Sequence, residues 1–322
     1  MAKEGRANIV VPGDEPVQIA GSDHLDKLAN YGDVTIFDTR PESVAEKVDR
    51  VKDADVIMNT RGAVTWGEEE FAQLPKLKMI TTCSIGTDMF DLDAARKHDV
   101  IISNQPGRTA PVVAEHMFGL MFAISKRAAY LTAEMKKGQW PRMDNVMLQG
   151  KTLGIVGTGN IGAEMARLGR AIGMDVIAWT FNPSDARAIE LGVRFVELDE
   201  LLASADVVSL HVALTDDTRG FLGKSEFERM KSGSLLLNGA RGAVVDTPAL
   251  VDALNRGHLG GAGIDVYEEE PPPADLALLQ CDQVVLTPHC ADMTPEGVDL
   301  LNGGAVDNVI AFLEGRPQNI VT

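Results

Sequence analysis

Residues 153–162, LGIVGTGNIG, constrain this chain more than any other stretch. An apolar run passes directly into the spacing Gly157, Gly159, Gly162, and a helical pattern through Ala163, Ala166, Leu168 and Ala171 follows. Each glycine there has a mechanical task. One permits the tight turn, one lets a pyrophosphate approach backbone amides, and one lets the helix pack closely on the strand. The start of the helix adds partial positive charge and free N–H donors. Strand, turn and helix in this order predict a parallel α/β sheet. With Asn160 and Ile161 completing the loop, they also predict a site for dinucleotide phosphates.

The rest of the chain extends this pattern. At 322 residues it is too long for one ordinary core, which favours two domains. Short β-branched runs alternate with helical patterns almost throughout, the signature of α/β layering. A first series predicts strands at 8–11, 34–37, 56–58, 79–82 and 100–103. A second predicts strands at 152–156, 175–179, 194–196, 207–210, 234–237, 261–266 and 283–286. The series echo each other, as in Ala54-Asp55-Val56-Ile57 against Ala205-Asp206-Val207-Val208, which suggests two related doubly wound units. Between them a helix is expected over 110–133, with Val113, Met117, Leu120, Met121, Ile124 and Ala128 on one packing face. A closing helix at 294–313 follows the last strand of the second unit and can fold back on the first.

Composition narrows the function. A formal charge of -17 argues against nucleic acid, because phosphate binding needs a basic face. Any anionic substrate must then be captured by a local cation or by backbone amides. Cys83, Cys281 and Cys290 are scattered without paired spacing and read as reduced thiols, neither a disulfide framework nor a metal site. No apolar run approaches the ~20 residues of a membrane span, and the start MAKEGRANIVVPGD lacks an apolar leader core, so a cytoplasmic location is expected. There is no GxSxG elbow and no HExxH motif. Cys290 adjoins His289, but neighbours in extended chain point to opposite sides, which argues against a Cys–His dyad.

In an open parallel sheet, ligands sit beyond the carboxyl ends of the strands. Three candidate groups fall there. Arg241 follows 235–238, Asp265 and Glu270 lie at and past the end of 261–266, and His289 follows 284–287 and Pro288. Reduction of a 2-keto acid needs hydride at the carbonyl carbon and a proton for the developing alkoxide. Histidine suits the proton step, because its pKa lies near neutrality. A carboxylate on the other ring nitrogen fixes the tautomer, so Glu270 is the natural partner of His289. Arg241 can clamp the substrate carboxylate through paired donors.

The strand at 175–179 ends in Thr180-Phe181-Asn182, without the acid that usually grips the adenosine ribose. Thr180, Asn182, Ser184 and Arg187 can instead accommodate a 2′-phosphate, so NADPH is expected to serve at least as well as NADH. The other reading is an NAD enzyme that tolerates a neutral residue there.

Taken together, these residues resemble the D-isomer-specific 2-hydroxyacid dehydrogenase family. The resemblance spans essentially the whole chain and rests on TTCSIGTDMFDL (81–92), VVAEHMFGL (112–120), GTGNIG (157–162), NGARGAVVDTPAL (238–250), GAGIDVYEEEP (261–271) and LTPHCADMT (286–294). It implies catalytic roles for Arg241, Glu270 and His289, and it implies that Asp265 holds the nicotinamide carboxamide. Ile85 and Gly86 would offer backbone amides to the substrate carboxylate. His211 and Thr218 would lie beside the cofactor phosphates, with Asn238 and Ala240 among the coenzyme contacts. Ala213 replaces the usual proline, and Asp292-Met293 replaces the small residues common after the histidine. The family fold implies a Rossmann coenzyme domain (104–289) inserted into a flavodoxin-like substrate domain (1–103 and 290–322). It also implies a homodimer, with the helix at 110–133 as a candidate contact. Arg61, in NTRGAVT, can bind a substrate phosphate or second carboxylate, or it is simply an exposed loop arginine. The expected reaction is hydride transfer between NAD(P)H and a glyoxylate-, hydroxypyruvate- or 3-phosphoglycerate-like acid, without a metal. Two alternatives share the framework: a cofactor-sensing, corepressor-like binding protein and a phosphite-oxidising enzyme.

Overall fold

The structure, a computed structural model, describes residues 6–62 and 64–322. Residues 1–5, at the head of the segment 1–103, and Ala63 of the NTRGAVT stretch lie outside the described residues. The chain divides into two compact units, Met1–Thr109 with Met293–Thr322, and Ala110–Asp292. The observed divisions come a few residues later than the breaks expected after 103 and after 289.

Among the described residues the first unit carries five parallel strands: β1 (Ala7–Val11), β2 (Gly32–Ile36), β3 (Val56–Asn59), β4 (Met79–Thr82) and β5 (Ile101–Ser103). Their order is β2-β1-β3-β4-β5, the flavodoxin-like winding. The second unit carries β6 (Thr152–Val156), β7 (Asp175–Trp179), β8 (Arg194–Phe195), β9 (Val207–Leu210), β10 (Leu235–Asn238), β11 (Gly261–Ile264) and β12 (Val284–Leu286). Their order, β12-β11-β10-β9-β6-β7-β8, is the Rossmann winding with one strand added at the edge.

Alternate residues of each strand supply separate cores on the two faces of the sheet. Ile9 and Val11 pack with Val56, Met58 and Ala305, whereas Val10 packs with Ile57, Ile80 and Phe71. In the second unit Leu153 and Ile155 join one core, and Val208, Leu210 and Leu236 join the other. Both faces being covered explains why these strands read as continuous apolar runs. Helix Pro295–Leu313, capped by Thr294 Oγ1, packs against β4 as part of the first unit.

The echo between the two series has a structural counterpart. Asp55 accepts the N–H of Asn8, at the start of β1, at 3.1 Å and pairs with Lys78 at 2.6 Å. Asp206 accepts the N–H of Thr152, at the start of β6, at 2.9 Å and pairs with Lys231 at 2.6 Å.

The helix expected over 110–133 is a correction. It stops at Ser125 and resumes as Ala128–Lys136, a helix with no buried residue. Arg127 adopts φ +50 between the two, and Lys126 Nζ and Arg127 Nε donate to the carbonyls of Val146 and Asp144. The returning chain thus turns the helix, and Ala128 does not share the buried face of Met117 and Met121. No helix among the described residues is long and apolar enough to cross a membrane.

Candidate active site

The glycine loop follows β6 directly. Gly157 holds φ +95, where a side chain would also collide with the backbone of His211, and a Cβ at Gly162 would run into the Gly157 carbonyl. Both positions therefore need glycine. A Cβ at Gly159, by contrast, would meet nothing within 4 Å. Gly159 caps helix Asn160–Ala171 without a side-chain acceptor, and Asn160 and Ile161 open its first turn. An open space beside an uncapped helix start fits a phosphate, which is the test a dinucleotide must pass here.

Around the loop, the remaining expected coenzyme residues divide. The His211 backbone lies against Gly157, and its ring Nε2 is 2.8 Å from Ser209 Oγ; burial pushes the ring's pKa down to about 3, so it is neutral. The Thr218 hydroxyl is spent on its own loop, donating to Ala213 O at 2.6 Å and accepting the Thr215 N–H at 2.7 Å. Thr180 is half-buried, Asn182 is exposed, and Ser184 Oγ caps helix Asp185–Leu191. Arg187 reaches back to the glycine loop, donating to Thr158 O at 3.0 Å while pairing with Glu190 at 2.8 Å. Sequence reasoning missed the aromatic group at the end of β7, where Trp179 stacks edgewise on Phe181 at 4.8 Å and against Phe221 at 5.2 Å.

The structure brings Arg241, Glu270 and His289 together at the ends of β10, β11 and β12. Asn238 builds the turn after β10: its Nδ2 donates to Arg241 O at 3.0 Å and its Oδ1 accepts the Ala240 N–H at 3.1 Å. Gly242 lets the chain pass tightly against the Tyr267 backbone. Glu270 Oε1 accepts the Tyr267 N–H at 2.9 Å, and its Oε2 lies 2.6 Å from His289 Nδ1. The hydrogen bond to Glu270 raises the His289 pKa. Burial opposes that rise, the Glu270 charge adds to it, and the Arg241 charge works against it. Burial alone would raise the Glu270 pKa, but the bonds from His289 and the Tyr267 N–H hold it below the ordinary carboxylate value. The pair remains partly accessible, with side-chain exposures of 45% for His289 and 36% for Glu270. Nδ1 is engaged by Glu270, so Nε2 is the nitrogen left for proton exchange.

Asp265, only 1% exposed, organises the histidine loop. Its backbone carbonyl accepts the His289 N–H at 2.8 Å, and its carboxylate accepts the N–H groups of Cys290 (3.0 Å) and Ala291 (3.1 Å) and the Thr287 hydroxyl (2.6 Å). These bonds hold His289 at φ +51, a region side chains rarely adopt. Burial would raise the Asp265 pKa; the bonds from His116, Thr287 and the Cys290 N–H outweigh it, and the group stays ionised. Sequence reasoning gave His116 no role. Its Nε2 lies 3.0 Å from Thr287 Oγ1 and 3.4 Å from Asp265 Oδ1. The only local signal was a Glu-His pair interrupting an apolar helix.

Comparison with known proteins decides the family. Residues 118–291 match the family model described as D-isomer specific 2-hydroxyacid dehydrogenase, NAD binding domain. The chain belongs to the D-isomer specific 2-hydroxyacid dehydrogenase family. It is 35% identical to a glyoxylate reductase of Korarchaeum cryptofilum, over 92% of each chain. It is 39% identical to a D-3-phosphoglycerate dehydrogenase of Archaeoglobus fulgidus over 75% of this chain, spanning 46%, about half, of that protein's length. Among solved structures, a D-lactate dehydrogenase from Aquifex aeolicus complexed with NAD and lactic acid superposes with a TM-score of 0.84 at 31% identity, covering 98% of each chain. In family terms, the second unit is the one that holds the NAD-binding domain.

The other unit places the expected substrate residues after β3 and β4. Arg61 follows β3 at φ +48, its N–H donating to Gln18 Oε1 at 3.2 Å. Gln18 Nε2 in turn donates to Cys83 O at 3.1 Å. Burial pushes the Cys83 thiol up to about 12; the Asp14 charge adds to this and Arg61 opposes it. Ile85 and Gly86 are half-buried, and their carbonyls accept from Asn104 Nδ2 (2.7 Å) and Ser84 Oγ (3.1 Å).

Proposed function

We propose that this protein is an NAD(P)-dependent D-2-hydroxyacid dehydrogenase interconverting a small 2-keto acid and its 2-hydroxy acid, of the glyoxylate, hydroxypyruvate or 3-phosphoglycerate kind. The observation that carries this reading is the 2.6 Å contact between His289 Nδ1 and Glu270 Oε2, under the electrostatic influence of Arg241. A bound nicotinamide coenzyme supplies the hydride for reduction and takes it up in the reverse direction. His289 Nε2 gives a proton to the developing alkoxide, and Glu270 fixes the ring and supports its charged form. Arg241 pairs with the substrate carboxylate through its planar donors. Asp265 orients the carboxamide while its other bonds hold the histidine loop.

In this reading residues 104–289 serve as the coenzyme domain, and 1–103 with 290–322 as the substrate domain. Gly157, Gly159, Asn160, Ile161 and Gly162 cradle the phosphates, His211 and Thr218 brace the loop beside them, and Asn238 and Ala240 shape the turn below the nicotinamide. Thr180, Asn182, Ser184 and Arg187 form the ribose end, and the Arg187 contact with the glycine loop favours acceptance of a 2′-phosphate. Ile85 and Gly86 bind the substrate carboxylate and Arg61 a second anionic group. A cytoplasmic homodimer completes the reading, with the exposed Met135, Trp140, Met143 and Met147 as its apolar contact.

The test is a panel of 2-keto acids assayed with NADH and with NADPH. Steady coenzyme oxidation with glyoxylate, hydroxypyruvate or phosphohydroxypyruvate is the expected result. Coenzyme binding without turnover on any 2-keto acid would refute the enzymatic reading.

A further inference from the structure

The sheet edge of the second unit holds a second group of chemically active side chains beside the His289–Glu270 pair. His116 on helix Ala110–Ser125, Asp265 after β11 and Cys290 after β12 bring an imidazole nitrogen, a carboxylate oxygen and a thiol sulfur within 4.8 Å of one another. His116 Nε2 and Asp265 Oδ1 stand 3.4 Å apart. Two ligands bound at about 2.0–2.1 Å to one tetrahedral ion are separated by about 3.3 Å, so this edge already has the spacing of a metal-bound pair. Thr287 Oγ1, 3.0 Å from the nitrogen and 2.6 Å from the oxygen, adds a neutral polar group to the same spot.

The donor set selects the ion. Imidazole and thiolate suit zinc-like ions, whereas magnesium and calcium require shells of oxygen. Three protein ligands leave a fourth position for water or the Thr287 hydroxyl. Asp265 is fully buried, but His116 and Cys290 are partly exposed, so an ion has access from their side. The set is also held in place, because the Cys290 N–H is bonded to the Asp265 carboxylate itself at 3.0 Å.

We propose that His116, Asp265 and Cys290 bind a single divalent cation of the zinc class, and that this ion and the coenzyme exclude each other. The ion site stands on its own geometry; the exclusion rests on the reading of Asp265 as a coenzyme contact. On binding, the Cys290 thiol releases its proton to solvent and its sulfur bonds the ion. His116 contributes the Nε2 lone pair with its ring proton on Nδ1, and nothing is oxidised or reduced.

Cobalt(II) titrated into the coenzyme-free, full-length protein tests the site. A near-ultraviolet thiolate-to-cobalt absorption that saturates at a single equivalent and is displaced by zinc is expected. Cys290→Ala should abolish this band and Cys281→Ala should keep it, with circular dichroism establishing that both variants are folded. His116→Gln should weaken cobalt binding at least about tenfold, since loss of even an outer supporting partner costs ~10–100-fold. No band in the wild type, or a band that survives Cys290→Ala, overturns the site. Saturating NADH should erase the band. A band that persists while NADH fluorescence reports binding overturns the exclusion. Failure of NADH to bind the ion-free protein would instead overturn the coenzyme reading and leave the ion site standing.

Discussion

The two units wind their sheets alike around β1 and β6, yet treat the space beyond those strands in opposite ways. Each strand sits where the winding reverses, β1 between β2 and β3, and β6 between β7 and β9. After β6 the chain enters the glycine loop, and the helix it opens has no side-chain cap. After β1 it enters Pro12-Gly13-Asp14. There the fully buried Asp14 carboxylate accepts the N–H groups of Gln18 (3.0 Å), Ile19 (3.2 and 3.1 Å) and Ala20 (2.8 Å). One unit fills its cluster of amides with its own anion, and the other leaves it open to a foreign one. A shared winding therefore fixes where a site can lie, while a few side chains decide whether there is one.

The sharpest way to break this contrast is to remove the chemistry from the second unit. His289→Ala should lower turnover by about 100- to 10,000-fold, the usual worth of a general acid–base group, with coenzyme affinity nearly kept. Steady-state kinetics beside coenzyme titration measures both, and wild-type turnover would show that the proton comes from elsewhere. The complementary change in the first unit is Asp14→Ala. It strands the buried N–H groups of Gln18 and Ile19, each costing roughly 1–3 kcal/mol, and frees the more exposed one of Ala20, so the melting temperature should fall by several degrees or more. Coenzyme affinity of the folded fraction should not change.

A smaller effect concerns pH. His289 has its pKa raised, first by the hydrogen bond to Glu270, with burial opposing. A raised pKa keeps the imidazolium populated to higher pH, so 2-keto acid reduction should hold on the acid side and decline as pH rises through the shifted value. The same sign applies to stability: the contribution of the pair is complete below the unfolded histidine pKa and is lost as pH climbs through the folded one. Glu270→Gln should move the reduction midpoint to lower pH, and an unmoved midpoint would separate Glu270 from the titration. The smallest structural effect is expected for Gly159→Ala. Its φ of -66 is ordinary and its Cβ meets open space, so stability should shift by only about 0.5 kcal/mol. The same methyl group should weaken coenzyme binding measurably, and unchanged affinity would mean that phosphates do not approach this glycine.

Much of the molecule was legible in the sequence because its elements are local. β4, β6, β7 and β9 lie at the expected positions, since runs such as MITT and DVIAW are apolar, β-branched and bounded by turns. Glu270 and His289 were legible as partners because both follow strands of one sheet. The break at Arg127 was not. The apolar spacing continues through Ala128, and only the carbonyls of Asp144 and Val146, brought back by the returning chain, turn the helix.

The sequence by itself determined the alternation of strands and helices in two series, the glycine loop and the arginine, acid and imidazole at successive strand ends, because periodicity and turn chemistry act over a few residues. Only the tertiary structure decided that Asp265 pins the histidine loop, that Asp14 fills the amides of the first unit, and that His116 meets Thr287 across 171 positions of chain. Contacts of that kind depend on which helix covers which strand, and no local pattern of residues records it.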